Sequence, residues 1–301
     1  KDEKWKNLVN LKFADYIEKD YFLENILHET EHDENCSCGN SKIEIIYHFG
    51  ACSSTQETDA SYLMENNFEY TKMLVHYCHQ KKIKFIYASS AATYGDGENS
   101  YSDKSITNLK PLNMYGYSKQ LFDVYAEKKG FFNDSNFKII GLKFFNVFGP
   151  NENHKSEMRS MVNKAFYQIQ ENGKAKLFKS YKKGFTDGEQ KRDFIYVKDA
   201  TQIVYKLANN NNIKSGIYNV GTGKASSWNE LAKAIFKAMD KTPKIEYIEM
   251  PEILRGKYQY FTQADMEKTL SAIDGYKFCS LEDAVKDYVQ NYLILNKYLG
   301  E

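Results

Sequence analysis

The chain has 301 residues, 42% of them apolar, enough for one large or two ordinary domains with a sizeable core. A formal net charge of +1 gives no electrostatic case for nucleic acid or an anionic membrane, and no apolar run approaches a membrane span. The opening Lys-Asp-Glu-Lys-Trp-Lys has no apolar signal core and the five cysteines form no disulfide framework, so a cytoplasmic protein is expected.

Leu8 to Leu11 reads as a short strand ending at Phe13-Ala14-Asp15-Tyr16, and residues 20–30 read as a helix. An acidic stretch follows that holds His28, His32, Cys36 and Cys38. These could supply four zinc ligands, but Cys-x-Cys is tighter than the usual spacing of structural sites, and an exposed loop without metal is the plainer expectation. Ile43 to Phe49 is a buried strand ending in Gly50-Ala51-Cys52-Ser53-Ser54. Asp59 to Lys82 is a long amphipathic helix, and Ile83 to Ala88 a strand ending in Ser89-Ser90. A helix carries Tyr115 and runs to about Lys129; Phe137 to Phe145 is the next strand, ending at Asn146. Strands and helices alternating at this spacing imply parallel βαβ units, whose ligands collect at the carboxyl ends of the strands.

Beyond Pro150 the spacing predicts a helix from Met158 to Asn172, stopped by Gly173, and an irregular polar connection to Lys191. Arg192 to Val197 is a strand, Asp199 opens a helix to about Asn209, and Gly216 to Val220 is a strand. Ser227 and Glu230 have capping-box spacing at a helix start. Lys244 to Glu249 is a strand, and helices over about 262–273 and 280–298 close the chain.

The most informative stretch is Tyr115-Gly116-Tyr117-Ser118-Lys119. A Tyr and a Lys four apart on a helix share one face, and an ammonium there favours the phenolate, so Lys119 is expected to lower the Tyr115 pKa. A phenol tuned in this way can accept a proton near neutral pH. Tyr-x3-Lys alone is common on solvated helix faces, so the assignment depends on the rest of the chain.

Ser90-Ala91-x-x-Tyr94-Gly95, Tyr115-x3-Lys119, Asn146-Val147-x-Gly149-Pro150, Arg192-Asp193-x-x-Tyr196-Val197-x-Asp199 and Asn219-x-Gly221-x-Gly223 occur in the order and spacing of the extended short-chain dehydrogenase/reductases. The chain resembles that family of nucleotide-sugar epimerases and dehydratases. Its stretches His48 to Thr55, Tyr87 to Gly95, Pro111 to Lys119, Gly149 to Lys155 and Tyr258 to Asp265 are similar to the branch of ADP-heptose 6-epimerases, from about Lys4 to the C-terminus. The acidic cysteine-bearing stretch looks like an insertion. The resemblance implies an α/β fold: a Rossmann-type doubly wound parallel sheet, over 1–150, with a smaller mixed α/β domain for the substrate. That second domain is mainly 151–301, with some segments returning to the first. The family opens on a strand and a Gly-x-x-Gly-x-x-Gly loop. No such loop occurs here, and the expectation is that the first βαβ lies before Lys1.

The implied reaction is epimerisation at C6 of ADP-glycero-manno-heptose, through a 6-keto sugar, with tightly held NADP recycled in the site. By resemblance Tyr115 and Lys155 are the two proton acceptor–donors, Ser90 bonds the reacting oxygen, and Lys119 binds the nicotinamide ribose and tunes Tyr115. Asp15 marks the adenine pocket of the cofactor, and Lys4 and Lys19 lie near the NADP end. Phe49, Gly50, Ala51, Cys52 and Ser53 line it, Asn66 stands behind it, and Val147 and Lys155 touch it. Asn146 and Arg192 suit the sugar and the diphosphate, and Phe178, Lys179, Ser180, Tyr181 and Tyr258 complete the substrate pocket. Glu157 and Lys164 stand there too, where the family often has Ser and His. A homo-oligomer is implied, a pentamer among the possibilities. Ala91-Ala92 after Ser90 argues against a 4,6-dehydratase, which carries an acidic pair there. A 4-epimerase shares Ser90, Tyr115 and Lys119 but has no need of Lys155. An inactive, cofactor-free scaffold is a third reading, supported by the absent glycine loop.

Overall fold

The computed structural model describes residues 3–28, 43–256 and 258–301. A 3₁₀ helix over Glu3–Leu8 leads to α1 (Lys19–His28). β1 (Ile45–His48) follows, then one long helix in three parts: α2 (Ala60–Leu63), a π-helical turn over Met64–Glu69 and α3 (Tyr70–Lys81). β2 (Lys84–Ser90) ends in a 3₁₀ turn (Ala91–Tyr94), α4 is Met114–Lys128, and β3 (Ile139–Phe144) is followed at once by β4 (Asn146–Phe148). A 3₁₀ segment (Asn153–Met158) precedes α5 (Met161–Asn172), β5 (Ala175–Phe178), β6 (Lys191–Tyr196), α6 (Val197–Asn209), β7 (Gly216–Val220) and β8 (Ala225–Ser227). Then come α7 (Trp228–Ala238), β9 (Ile245–Ile248), α8 (Glu252–Arg255), α9 (Glu267–Ile273) and α10 (Leu281–Tyr288), which continues as a π turn to Leu293.

The main sheet has the order β1-β2-β3-β7, all parallel. Its strands are apolar on both faces, as a sheet covered on both sides requires. Phe85, Tyr87 and Ile139 pack against α3 and α4 on one face, while Ile86, Ile140 and Leu142 pack against α6 and the α9 region on the other. β7 belongs to the later half of the sequence yet completes this sheet. A second core forms from α5, α7 and α10 over β5, with Val162, Phe166, Leu177, Ile235 and Val285 buried in it. Two small sheets, β4-β6-β8 and β5-β9, adjoin it. The Rossmann-type parallel sheet is thus the fold, and no helix among the described residues is long and apolar enough to cross a membrane.

Local expectations fared unevenly. Ser227 and Glu230 do form a reciprocal capping box, and Gly173 ends α5 with φ +67°. The strand expected over Leu8 to Leu11 is not formed: Leu8 closes a 3₁₀ helix and no strand pairs with it. β5 lies inside the stretch expected to be irregular, because Ala175 and Leu177 alternate inward and bond to β9, a partner 70 residues away. The helix expected over 262–273 begins only at Glu267, since Thr262 and Ala264 are spent in backbone bonds to Lys191 and the Asp193 carboxylate. The helix expected from Met158 starts at Met161, with Ser160 as its N-cap. His32, Cys36 and Cys38 lie outside the described residues, as does the His28 side chain.

Candidate active site

Asn113 accepts a hydrogen bond from the Gly116 amide at 2.8 Å and so starts α4 just before Tyr115. Gly116 is where this helix meets the turn after β2: a methyl group there would sit 2.8 Å from the Ala92 carbonyl oxygen. That contact brings Tyr115 to Ser90, at the carboxyl end of β2, and the Ser90 side chain hydrogen-bonds the Tyr115 phenol. Ser90 Oγ also accepts from the Ala92 amide at 3.1 Å, which fixes its rotamer.

Lys119 lies one helical turn further in and is only 4% exposed. Burial lowers its pKa to about 8, with Asp123 and Cys52 acting in the opposite direction. The Tyr115 pKa is raised, not lowered as expected: burial dominates, and the Ser90 hydrogen bond only partly offsets it. Burial thus outweighs any help that the Lys119 ammonium gives the phenolate. Deeper still, the fully buried Asp123 and Lys143 form an ion pair at 2.7 Å.

The run from Phe49 to Ser53 leaves β1 at the same end of the sheet. Phe49, Gly50, Ala51 and Ser53 are exposed, and Phe49 meets Phe144 edge-on with centroids 5.8 Å apart. Cys52 is tied down through its backbone: its amide donates to Asn67 Oδ1 at 2.8 Å and its carbonyl accepts from Asn67 Nδ2 at 2.9 Å. Asn67 also donates to Ser118 Oγ at 3.0 Å, on α4. The residue behind this loop is therefore Asn67 and not Asn66, whose amide bonds only the Tyr62 carbonyl on its own helix. Periodicity misses this because the π turn over Met64–Glu69 advances the helix by one residue and changes which asparagine faces inward. His48, also missed, is buried beside Lys119 and bonds Thr71 Oγ1 at 2.9 Å; burial lowers its pKa to about 3.

Asn146 and Val147 sit on β4, exposed and half-buried, paired with β6. Arg192, on β6, is buried between the rings of Tyr258 and Trp228, 4.9 and 5.7 Å from their centroids. Trp228 Nε1 donates to the Tyr258 hydroxyl at 2.8 Å, and Phe178 meets Tyr258 edge-on. Among the described residues no carboxylate pairs with Arg192, whose one hydrogen bond goes to the Lys191 carbonyl. Trp228 was missed because it reads as an ordinary apolar residue opening α7. Ser180 and Tyr181 are held by Asp187 and Tyr260 through their amides, and Lys179 pairs with Glu249 at 2.6 Å.

Other expected residues lie apart from Tyr115. Lys155 is exposed on the 3₁₀ segment, next to Ser156 at φ +47°, and bonds neither Ser90 nor Tyr115. This segment is anchored by Glu152, which accepts from the Ser160 hydroxyl at 2.6 Å and the Tyr288 hydroxyl at 2.9 Å. Glu157 and Lys164 approach each other to 3.8 Å at the surface. Lys4, Asp15 and Lys19 lie along the exposed N-terminal segment; Lys19 pairs with Asp20 and stands over the Tyr70 ring of α3. Among the described residues no His, Cys, Asp and Glu group could hold a metal ion.

A parallel sheet with Ser, Tyr and Lys gathered at its strand ends is the frame of a dinucleotide-dependent sugar-modifying enzyme. The chain belongs to the NAD dependent epimerase/dehydratase family, whose sequence pattern matches residues 25–221. It is 50% identical, over 97% of its length and 87% of the relative's, to ADP-L-glycero-D-manno-heptose-6-epimerase of Nitratidesulfovibrio vulgaris (strain DP4). It is 49% identical, over 97% of its length and 88% of the relative's, to the protein of the same name from Fusobacterium nucleatum. The crystal structure of the Helicobacter pylori ADP-L-glycero-D-manno-heptose-6-epimerase is similar with a TM-score of 0.70 at 31% identity, covering 82% of this chain and 72% of that one.

Proposed function

We propose that the chain epimerises ADP-glycero-manno-heptose at C6, using NADP. The observation that carries this reading is the Ser90–Tyr115 hydrogen bond with Lys119 buried one turn behind it, in a chain half identical to relatives bearing that name. The cofactor fits the residues present. The Lys119 ammonium is buried yet makes no hydrogen bond among the described residues, as a donor reserved for ribose hydroxyls would. The Phe49–Ser53 run beside it is exposed on an anchored backbone. Held by Lys119 and the Phe49–Ser53 run, an oxidised nicotinamide would supply positive charge and a reversible hydride acceptor for C6, with no net redox.

The chain's own residues do the rest. Tyr115 takes the proton from the C6 hydroxyl in one orientation of the sugar, with Ser90 holding the same oxygen. Lys155 serves the opposite orientation. Arg192 is a buried guanidinium between two aromatic rings that pairs with no carboxylate among the described residues, which suits a diphosphate. Tyr258, Phe178 and the Lys179–Tyr181 backbone line the nucleotide end, and Asn146 the sugar. Residues 1–150 chiefly hold the cofactor and 151–301 the substrate, in a homo-oligomer in the cytoplasm.

One observation favours a second reading. Lys155 is exposed and joined to neither Ser90 nor Tyr115, and a 4-epimerase needs only those two residues and Lys119. The test is incubation with ADP-glycero-manno-heptose and NADP, following C6 configuration by NMR, beside a UDP-hexose control. Conversion at C6, lost in Lys155→Ala, supports the proposal. Turnover of the hexose at C4, indifferent to Lys155→Ala, overturns it.

A further inference from the structure

Asp123 occupies the position one turn beyond Lys119 on α4, and every oxygen of its carboxylate is in use. Oδ1 accepts from the Tyr87 hydroxyl at 3.0 Å; Oδ2 accepts from the Ser89 hydroxyl at 2.7 Å and the Lys143 ammonium at 2.7 Å. Lys143 in turn donates to Thr93 Oγ1, and Thr93 donates to the Ser90 carbonyl at 2.8 Å. The Lys143 ammonium also stands 4.9 Å over the Tyr94 ring, whose hydroxyl donates to Asn219 Oδ1 on β7 at 2.7 Å.

The cluster thus bolts together two pieces of chain. One is the end of β2 with its turn, through Tyr87, Ser89, Thr93 and Tyr94, and it carries Ser90. The other is α4, through Asp123, and it carries Tyr115 and Lys119. Stability alone does not account for such a pair, because the desolvation of a buried ion pair consumes most of its attraction and a well-packed apolar pair usually serves as well. Its location does account for it, since the two pieces it joins carry the reacting groups.

We propose that Asp123 is a positioning residue of the reaction: held by Lys143, its carboxylate fixes Ser90 against Tyr115 and supplies the negative charge that keeps Lys119 protonated in its buried place. This rests on the epimerase reading above. The ionisable groups facing Lys119 are Asp123 and Tyr115 on its own helix, His48 on β1 and Cys52 from the loop after it. His48 is neutral above about pH 3, and burial holds Tyr115 protonated. Asp123, ahead of Cys52, is therefore the chief resident group opposing the burial of Lys119. Asp123→Asn alone removes this negative charge, whereas exchanging both partners also removes the Lys143 charge 2.7 Å from it, so the single variant reads the charge and the double variant reads the positioning.

The test uses the full chain with Asp123→Asn and the double variant Asp123→Asn/Lys143→Met, the latter to avoid an unpaired buried ammonium. Proteins labelled with [6-¹³C]lysine are titrated by NMR, with the Lys119 signal assigned from Lys119→Arg. The expected result is a Lys119 midpoint near 8 in the parent and a lower one in Asp123→Asn, with the alkaline limb of kcat moving down alongside it, and a reduced kcat in the folded double variant. A folded Asp123→Asn protein with unchanged Lys119 midpoint and unchanged pH profile overturns the proposal. Should Asp123→Asn alone not fold, the double variant decides, a parental kcat overturning the proposal. Should the parent not turn over ADP-heptose, it is the function that fails, and the NMR midpoint still decides the role of Asp123.

Discussion

Tyr115 is under opposing influences: burial, with Cys52 adding to it, raises its pKa, and the hydrogen bond from Ser90 lowers it. If the phenol is the proton acceptor–donor, Tyr115→Phe removes the exchangeable proton while keeping the ring, and kcat should fall by about 10³-fold with little change in melting temperature. Ser90→Ala should do something subtler. Losing the hydrogen bond leaves burial unopposed, so the Tyr115 pKa rises and the acid limb of kcat moves to higher pH. A kcat profile recorded from pH 5 to 10 checks this, and an acid limb that stays in place would detach Ser90 from Tyr115. Arg192 gives a separate prediction. Lys at that position loses both the planar stack between Tyr258 and Trp228 and the two-pronged grip on phosphate oxygens, so Arg192→Lys should raise KM about tenfold or more while kcat changes less.

At the level of elements, the junction between α4 and the turn after β2 decides whether these side chains meet. Gly116→Ala would place a methyl group 2.8 Å from the Ala92 carbonyl oxygen and 3.1 Å from Pro111 Cβ, so the helix must move off the turn that follows Ser90. Activity should drop well beyond what any fall in melting temperature explains. Ser227→Ala is the contrasting change: it removes one half of the α7 capping box, away from Tyr115, and should cost about 1 kcal/mol of stability with kcat intact. Urea titration and initial rates on the two variants separate these outcomes. The same junctions show what the sequence could reveal. Ser90, Tyr115 and Lys119 were legible because they fall in motifs whose order and spacing resemble a known family, a helix turn placing Tyr115 and Lys119 on one face, and Ser227 and Glu230 because a cap is local. β5 was not legible, since its partner β9 is 70 residues away and a strand of four residues carries little pattern. Asn67 was hidden by the π turn, and the direction of the Tyr115 pKa by burial that only the packed chain creates. Asp123 was in plain view one turn from Lys119, but its meaning required Lys143, 20 residues away on β3, which only the packed chain brings to it.

For the molecule as a whole, the most informative probe is a residue that does no chemistry. His48 ends β1 packed between the rings of Tyr70 and Phe85, with its Nε2 on the Thr71 hydroxyl and the charge of Lys119 nearby. Burial first, and Lys119 second, lower its pKa from 6.5 to about 3. The folded protein therefore keeps His48 neutral over a range in which the unfolded chain has already bound a proton there. Because the folded pKa is the lower one, the stability owed to neutral His48 is fully present above about pH 6.5 and is lost as pH falls toward about 3. Within that window the loss approaches about 1.4 kcal/mol per pH unit from this group alone. His48→Gln keeps an amide able to meet Thr71 but carries no titrating group, so it should be less stable than the parent at pH 7 yet lose less between pH 7 and 5. Urea midpoints of both proteins at those two values provide the comparison, with carboxylate titration common to both. Equal losses would mean that the ring is protonated without penalty, and that the sheet edge beside Lys119 is more open to water than its packing implies.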